Sequence, residues 1–365
     1  MEKCIACGLC AEKCPKKVDD VYNEKLIKRK AIYVPYPQAV PLKYTIDAEN
    51  CIYLEKGKCG ACEKYCPSGA INFNDTQKTL TLQVGSVILA PGFKTFDPVG
   101  LDNYPYADLP DVVTSQEFER ILSATGPYSG HLMRPSSMRG KKPVGKSPRK
   151  IAWMQCVGSR DINRCDNGYC SSVCCMYAVK QAVMSQDHSD VPLDCAIFYM
   201  DIRTQGKDFD RYTENARKNG VRFIPARIHT IDPIPGAEDL RLCYVSDDGQ
   251  RHEEAFDMVV LSTGLEIHRD TIQLSNTLGV ELDKYHFTRT DSFHPVATSV
   301  PGVYACGVFT GPKDIPQSVM EASAAACAAT ENLAVVRNTR TKEVKIPVQR
   351  DVSREAPRIG VFVCH

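Results

Sequence analysis

The chain has 365 residues, enough for two or three domains, and 43% of them are hydrophobic, the usual share for a protein with a buried core. Its formal net charge of +1 gives no sign of a nucleic-acid or anionic-membrane partner. No apolar run of 18 residues occurs, and "EKCIACGLC" directly follows Met1, so neither a membrane span nor a signal peptide is expected. The 18 cysteines stand at metal-ligand spacings, which indicates a cytoplasmic, reducing, anaerobic setting rather than disulfides.

Two cysteine blocks near the N-terminus predict a pair of iron–sulfur clusters. Residues 4–15, "CIACGLCAEKCP", follow the C-x2-C-x2-C-x3-C-P pattern, and residues 51–67, "CIYLEKGKCGACEKYCP", repeat it with a stretched first gap. In this bacterial ferredoxin pattern the fourth cysteine ligates the other cluster. We therefore assign one 4Fe–4S cluster to Cys4, Cys7, Cys10 and Cys66 and a second to Cys51, Cys59, Cys62 and Cys14. A zinc site or free buried thiols is the alternative, and residues 1–76 are expected to form an α+β ferredoxin domain.

Three later segments are typical of a nucleotide-binding flavoprotein. Residues 79–93 are expected to form a strand pair that ends at Ala90-Pro91-Gly92, and residues 253–265 a strand that ends at Ser262-Thr263-Gly264. Residues 299–334 predict a short strand, a turn at Gly307 and a long helix of small residues. Together they resemble flavoproteins of the thioredoxin reductase type, an α/β fold with two dinucleotide-binding domains, although each alone could be an ordinary strand or packed helix. The resemblance implies FAD contacts at Ala90, Gly92, Thr263, Gly264 and Gly307, in a domain made of residues 77–148 and 256–338.

The glycine fingerprint of such a flavoprotein is missing. A G-x-G-x-x-G loop should follow the first strand and hold the ADP half of FAD, but no such pattern occurs in the sequence. The first strand, the phosphate loop and the ribose-binding acid of the FAD domain are therefore expected to be absent from this chain.

Residues 149–255 predict a second α/β unit, similar to an NAD-binding domain. "RKIAWMQ" is its first strand, "GYCSSVCCMYAVKQAVMSQDH" its first helix, and "LDCAIFYMDIRT" its second strand. The loop after the first strand, "CVGSRDINRCDNG", lacks glycines at phosphate-binding spacing. We expect this unit to keep the fold without binding a nicotinamide nucleotide.

The cysteines of that unit predict a third 4Fe–4S site. Cys170 and Cys174 are expected one helical turn apart on the same face, with Cys175 adjacent and Cys156 reaching in from the strand end. Cys165 is predicted not to be a ligand, and a structural zinc or buried thiols remains the alternative. The other cysteines, Cys195, Cys243, Cys306 and Cys327, are expected to be buried apolar thiols. No catalytic side chain is predicted.

The combination "CVGSRD…YCSSVCCMYAVKQA" with "GPKDIPQSVMEASAAA" resembles the A-type subunit of heterodisulfide reductase and its relatives. The resemblance covers nearly the whole chain and implies an oxidoreductase subunit with FAD, an inserted ferredoxin domain and an unusual cluster at Cys156, Cys170, Cys174 and Cys175. It implies flavin contacts by Lys313, Asp314, Ile315 and Pro316. The expected partners are disulfide-reducing subunits, a hydrogenase- or formate-dehydrogenase-linked electron-delivery subunit, ferredoxin, and a neighbouring chain that supplies the FAD phosphate loop.

Two alternatives and one boundary question stay open. The chain could be an NAD(P)H-dependent oxidoreductase that resembles the small subunit of glutamate synthase, or a non-enzymatic carrier like a polyferredoxin. Residues 339–365 predict a linker followed by the start of a truncated repeat, because "RIGVFVCH" resembles the family's N-terminal segment. A split duplication, a selenocysteine codon read as stop, and a plain truncation would each explain that end.

Overall fold

The computed structural model describes residues 3–139, 142–143 and 147–361. Their backbone divides into two compact units. The first contains residues 3–17, 30–85 and 330–361, and the second contains Val18–Arg29 and the described part of Ser86–Ala329. The predicted domain boundaries stay a prediction, and the predicted repeat at residues 358–365 lies partly outside the described residues.

The helices of the described residues are α1 (Leu9–Lys13), α2 (Ile52–Lys56), α3 (Ala61–Lys64), α4 (Ser115–Leu122), α5 (Ile162–Cys165), α6 (Cys174–Asp187), α7 (Phe209–Lys218), α8 (Arg269–Leu278) and α9 (Ile315–Asn332). Short 3₁₀ turns occur at Val21–Asn23, Pro98–Gly100, Pro135–Ser137, Gly307–Thr310 and Ala334–Val336. No helix in this part of the chain combines the length and apolar character needed to cross a membrane.

The strands are β1 (Lys17–Asp19), β2 (Lys28–Lys30), β3 (Ile32–Tyr33), β4 (Thr45–Ile46), β5 (Val87–Leu89), β6 (Lys94–Thr95), β7 (Val112–Thr114), β8 (Met138–Arg139), β9 (Lys142–Pro143), β10 (Lys150–Val157), β11 (Asp194–Tyr199), β12 (Arg222–Pro225), β13 (Ile231–Pro233), β14 (Leu240–Val245), β15 (Arg251–Phe256), β16 (Met258–Thr263), β17 (Leu265–Glu266) and β18 (Val303–Ala305).

In the first unit, helices α1 and α3 each begin after the same kind of turn, one in each cysteine block. Gly8 precedes α1 with φ 81°, and Gly60 precedes α3 with φ 82°. L side chains rarely adopt this left-handed backbone, so the C-x2-C segments carry glycine there. The two glycines let Cys7 and Cys10, and likewise Cys59 and Cys62, bracket a tight turn. β3 and β4 pair antiparallel in the same unit.

A five-stranded parallel sheet organises the second unit, in the order β12-β11-β10-β16-β7. β10 and β16 form its centre, and all six residues of β16 are buried. Such continuous apolar runs are typical of parallel strands that are covered on both faces. The carboxyl ends of β10, β11 and β16 meet at one edge of this sheet, which is where α/β proteins of this type place their sites.

Alternate residues of β10 face two separate cores. Ile151 and Trp153 pack with α4 and α6, while Ala152 and Met154 pack with the antiparallel sheet β13-β14-β15. This two-residue period is that of an extended strand. The central strand is thereby held from both sides, so the loop that follows it leaves from a rigid element.

The structure differs from the sequence expectations at two strands. Within residues 79–93, only Val87–Leu89 forms a strand, and it pairs in parallel with β18. β16, which ends at Thr263, pairs with β10, so it belongs to the same sheet as the predicted NAD-like unit. The pattern of a strand followed by a glycine could not distinguish these arrangements, because strand pairing is non-local.

Candidate functional site

The first predicted cysteine group lines one cavity in the first unit. Its four members, Cys4, Cys7, Cys10 and Cys66, surround a space of ≈ 380 Å³ together with Tyr44 and Ile71. The N–H of Ala70 donates to Cys66 Sγ at 3.3 Å and lowers the pKa of that thiol. Burial raises the pKa of Cys10, with the nearby Cys4 and Cys7 acting in the same direction.

The second predicted group lines a separate cavity of similar size. Cys14, Cys51, Cys59 and Cys62 surround ≈ 360 Å³ together with Ile32 and Phe73. Burial raises the pKa of Cys62 to about 11, and Cys51 and Cys14 add to the rise. The two blocks therefore exchange their last cysteines, because Cys14 joins the second group and Cys66 joins the first. This exchange is the one that the ferredoxin spacing predicts.

The third predicted group gathers at the sheet edge of the second unit. Burial raises the pKa of Cys174 to about 12, with the nearby Cys156, Cys175 and Cys170 acting in the same direction, so the four thiols lie close enough to interact. Burial likewise raises the pKa of Cys156 to about 11. Cys174 Sγ donates to the carbonyl oxygen of Thr263 at 3.8 Å, so β16 also holds this group in place.

Local departures from regular backbone geometry bring these thiols together. Cys156 has φ 63°, at a register shift between Met154 and Val157 in the pairing of β10 with β16. Such a bulge redirects a side chain that regular pleating would send elsewhere. Cys174 and Cys175 form the first turn of α6.

Cys170 does not share a helix with Cys174, so the sequence expectation of a common helical face is wrong. α6 begins only at Cys174, because Ser172 has φ 69° and interrupts any earlier helix. The buried Ser171 holds this segment, since its hydroxyl accepts the N–H of Leu265 at 2.9 Å. Cys170 thus reaches the group from the loop that precedes α6.

The remaining cysteines of the described residues lie in different environments. Cys165 ends α5 and packs against the core beneath the sheet, and burial and the charge of Asp161 raise its pKa. Cys195 and Cys306 are buried as expected, whereas Cys243 is half-buried and Cys327 is exposed on α9. The expectation of a buried Cys327 is wrong because α9 buries only Ala325 and Ala329. Among the described residues, no three His, Cys, Asp or Glu side chains converge closely enough to hold a single metal ion.

The predicted flavin-contacting turn is held by a network of hydrogen bonds and one ion pair. Lys313, only 9% exposed, donates through Nζ to the carbonyl oxygen of Gly307 at 2.9 Å and forms an ion pair with Glu321 at 2.8 Å. Glu321 also accepts the N–H of Gly307 at 3.0 Å, at a glycine with φ 71°. The hydroxyl of Thr310 also donates to Glu321 in this network. The turn is therefore held from the helix α9 that follows it.

The start of α9 explains the rest of that motif. Asp314 accepts the N–H of Gln317 at 2.9 Å, and Pro316 lies in the first turn, where its missing N–H costs nothing. Ile315 is 79% exposed. An open cleft of ≈ 860 Å³ adjoins this turn, and Tyr169, Tyr285 and Phe287 line it with Gly311 and Pro312.

The other predicted flavin contacts lie at strand ends. Ala90 follows β5 directly, and Gly92 has φ 76° in an exposed loop. Thr263 ends β16 and is buried, with its hydroxyl 3.3 Å from that of Ser115. A Cβ on Gly264 would lie 2.7 Å from Ser171 Oγ, so Gly264 serves close packing against the Cys170 loop.

Two arginines lie beside the third cysteine group and were not predicted from the sequence as site residues. Arg160 follows "CVGS" after β10, and Arg203 lies just beyond β11, with Asp201 between their guanidinium groups. The N–H of Arg203 donates to Cys175 Sγ at 3.4 Å. A charged residue at the end of each adjacent parallel strand was the signal that could have indicated them.

The chain belongs to the pyridine nucleotide-disulphide oxidoreductase family, whose model matches residues 44–326. A 4Fe-4S dicluster domain matches residues 3–70. These two matches confirm the predicted α/β flavoprotein fold with a ferredoxin domain, and they confirm 4Fe–4S clusters and FAD as the cofactor classes of these domains. The number of clusters and the residues that bind them stay predictions.

Named relatives extend the comparison. The chain is 39% identical over 354 residues to the A-type iron-sulfur subunit of the CoB–CoM heterodisulfide reductase of Methanocaldococcus jannaschii, covering 96% of this chain and 51% of that protein. It is 36% identical to the A-type subunit of the H(2):CoB-CoM heterodisulfide,ferredoxin reductase of Methanothermobacter marburgensis, covering 90% and 48%. The chain thus spans about half the length of these relatives. The resemblance to the A-type subunit of heterodisulfide reductase is confirmed.

A solved structure, thioredoxin reductase of Lactococcus lactis, is similar at 16% identity and a TM-score of 0.42, covering 68% of this chain and 66% of that one.

Proposed function

We propose that this chain is the electron-transferring part of an iron–sulfur flavoprotein subunit in a heterodisulfide-reductase-like complex. The observation that supports this most is the grouping of twelve cysteines into three sets of four. Two sets line separate cavities, and the thiols of the third lie close enough to interact at the sheet edge. Four thiols are the donor set that a 4Fe–4S cluster requires, so the residues fit three clusters.

Each part of the chain has a distinct task in this proposal. When bound, the clusters would supply single-electron transfer, and FAD would supply a centre that handles one or two electrons. The ferredoxin domain presents its two cysteine groups as the route to partners. Burial of Cys174 and Cys175 shields part of the third group from water. Cys170 of the same group directly follows Tyr169, which lines the cleft proposed for the flavin.

Tyr169 links the proposed third cluster to the proposed flavin position. It directly precedes Cys170, and its ring lines the cleft next to Gly311 and Pro312. Its hydroxyl donates to the carbonyl oxygen of Leu265 at 2.7 Å, and its ring packs edge-on against Phe287. The side chain is therefore held in a fixed orientation at the cleft, next in sequence to a proposed cluster ligand.

FAD binding would need a phosphate-binding loop from another polypeptide segment. In the described residues, β5 and β18 form a two-stranded parallel sheet, whereas parallel sheets usually carry more strands with both faces covered. Exposed apolar side chains lie on β5 and along α9, at Ile88, Val319 and Met320. A neighbouring α/β segment that pairs with this sheet would supply the glycine loop that this chain lacks.

The names of the relatives support a proposal about the complex. We propose partner subunits that reduce a disulfide, an electron-delivery subunit linked to a hydrogenase or formate dehydrogenase, and ferredoxin, in an anaerobic cytoplasm. Splitting of electron pairs at the flavin is included in this proposal, as a property of the whole complex.

Two other functions remain distinguishable by experiment. An NAD(P)H-dependent enzyme needs a phosphate loop after β10, but the loop there carries cysteines and arginine, and its Gly158 is packed against the Phe96 ring. A non-enzymatic carrier would hold clusters without flavin. NADPH oxidation by the purified protein would favour the first alternative.

The test is the iron and flavin content of anaerobically purified protein, alone and together with its genomic neighbours. We expect about twelve irons per chain from three 4Fe–4S clusters, and one flavin per chain when the phosphate loop is present. Cys170→Ser should reduce the iron to about eight, whereas Cys165→Ser, the matched control, should leave about twelve.

About eight irons in the unmodified chain would contradict the third cluster, and the absence of flavin with every neighbour would favour the carrier. A loss of iron in Cys165→Ser equal to that in Cys170→Ser would contradict the assigned ligand set.

A further inference from the structure

Two arginines and one aspartate form a charged clamp beside the third cysteine group. Arg160 Nη1 pairs with Asp201 Oδ1, and Arg203 Nε donates to Asp201 Oδ2 at 3.0 Å. The backbone of the same loop contacts the cysteines, since the N–H of Arg203 donates to Cys175 Sγ at 3.4 Å and Cys175 Sγ donates to the carbonyl oxygen of Asp201 at 3.9 Å. One carboxylate therefore anchors both guanidinium groups next to the thiols.

The clamp joins the ends of two neighbouring parallel strands. Arg160 lies in the loop after β10, and Asp201 and Arg203 follow β11. Arg160 has φ 56°, and its N–H donates to the carbonyl oxygen of Tyr169 at 2.9 Å. A non-glycine residue in this conformation is kept there by its surroundings. The guanidinium group is thus placed by the sheet and by the Cys170 loop together.

The charge balance of the clamp is positive. Two guanidinium groups and one carboxylate leave one net positive charge beside four thiols. The Arg160 side chain is 22% exposed and that of Arg203 is 42% exposed, so water screens Arg160 less. Each guanidinium group also lies near a different thiol, Arg160 near Cys156 and Arg203 near Cys170.

We infer that Arg160 and Arg203, anchored by Asp201, are positioning residues whose positive charge makes the third cluster easier to reduce. This inference rests on the proposed function, because it requires a cluster at Cys156, Cys170, Cys174 and Cys175. Reduction adds one electron and hence one negative charge to the cluster and its thiolates. A fixed positive charge nearby stabilises the reduced form, and net charge and hydrogen bonding to sulfur are known controls of cluster potential.

The first test is an anaerobic potentiometric titration of the cluster-loaded full chain, followed by electron paramagnetic resonance. Arg160→Gln should reduce the equilibrium constant for reduction of the third cluster about tenfold, a shift of about 59 mV to lower potential for one electron. Arg203→Gln should cause a smaller shift in the same direction, because that side chain is more exposed. Arg160→Lys keeps the charge and should keep most of the unmodified potential.

Two controls separate tuning from general damage. Arg211→Gln removes a 76% exposed guanidinium group on α7 that pairs with Asp208, and it should leave the third potential unchanged. The two ferredoxin clusters in the same sample should keep their potentials in every variant.

The outcomes are distinct. An unchanged third potential in Arg160→Gln with about twelve irons retained would overturn the inference. An equal shift in Arg160→Lys would also overturn it, because charge would then not be the cause. Loss of the third cluster from both glutamine variants would show a structural role instead. About eight irons in the unmodified chain would contradict the proposed function itself.

Discussion

Replacing Lys313 with methionine should destabilise the second unit, because the substitution strands a largely buried carboxylate. Lys313 is 9% exposed at its side chain and Glu321 is 20% exposed, and their charged atoms lie 2.8 Å apart. Removing one partner of a buried pair costs about 3–5 kcal/mol. Glu321 keeps the N–H of Gly307 and the hydroxyl of Thr310 as donors, so we expect a loss of about 2–3 kcal/mol in the free energy of unfolding.

The measurement is thermal and urea unfolding followed by the fluorescence of Trp153, the single tryptophan of the sequence, which is fully buried in the same unit. For a unit of this size the expected loss lowers the melting temperature by about 4–10 °C. Flavin content should fall in parallel, because the ion pair holds the turn at Gly307.

A double-mutant cycle makes this prediction sharper. Glu321→Gln alone leaves the Lys313 charge without its counterion, whereas the double variant removes both charges. The double variant should therefore cost at least about 1 kcal/mol less than the sum of the single variants. The assignment of a strong buried pair would be refuted if the stability losses of the two single variants simply add up to that of the double variant. A loss below about 1 kcal/mol for Lys313→Met would refute it as well.

Two further predictions concern charge and packing in the second unit. Burial opposes ionisation of Glu254, but hydrogen bonds from Arg222, Lys150 and Tyr244 lower its pKa to about 2, so the stability it contributes is present above its unfolded pKa of 4.5 and is lost as pH falls toward 2. Glu254→Gln should lower the free energy of unfolding by about 1–2 kcal/mol at neutral pH in the cluster-free chain. Urea titrations should show that the difference in this free energy between the variant and the unmodified protein shrinks between pH 4.5 and 2. A difference that does not depend on pH would contradict this prediction. Gly264→Ala should lower the free energy of unfolding by about 1–3 kcal/mol, measured by thermal unfolding, because the new Cβ displaces Ser171 Oγ from the N–H of Leu265. The control Gly100→Ala has open space at its Cβ and should change the stability little. Equal effects of the two substitutions would argue against the close packing at Gly264.

The ferredoxin domain and the overall fold class could be predicted because their signals are local. Cys7-Gly8-Leu9-Cys10 and Cys59-Gly60-Ala61-Cys62 each encode one tight turn, and the C-x3-C-P ends encode the exchange of cysteines between the two groups. The strand predicted at "KIAWMQ" was likewise readable as a mostly apolar run, and it became the central strand β10, which continues through Cys156 to Val157. Short-range spacing carries the signal for features of this kind.

Only the tertiary structure decided the surroundings of the third cysteine group. Spacing alone suggested a helix from Cys170, but the left-handed Ser172 and the bond from Leu265 to Ser171 place Cys170 in a loop. The same holds for Asp201 and Arg203, which come next to Cys175 because β11 pairs in parallel with β10. Parallel pairing joins residues that are distant in sequence, and which strand ends meet at one edge depends on the packing of the whole sheet.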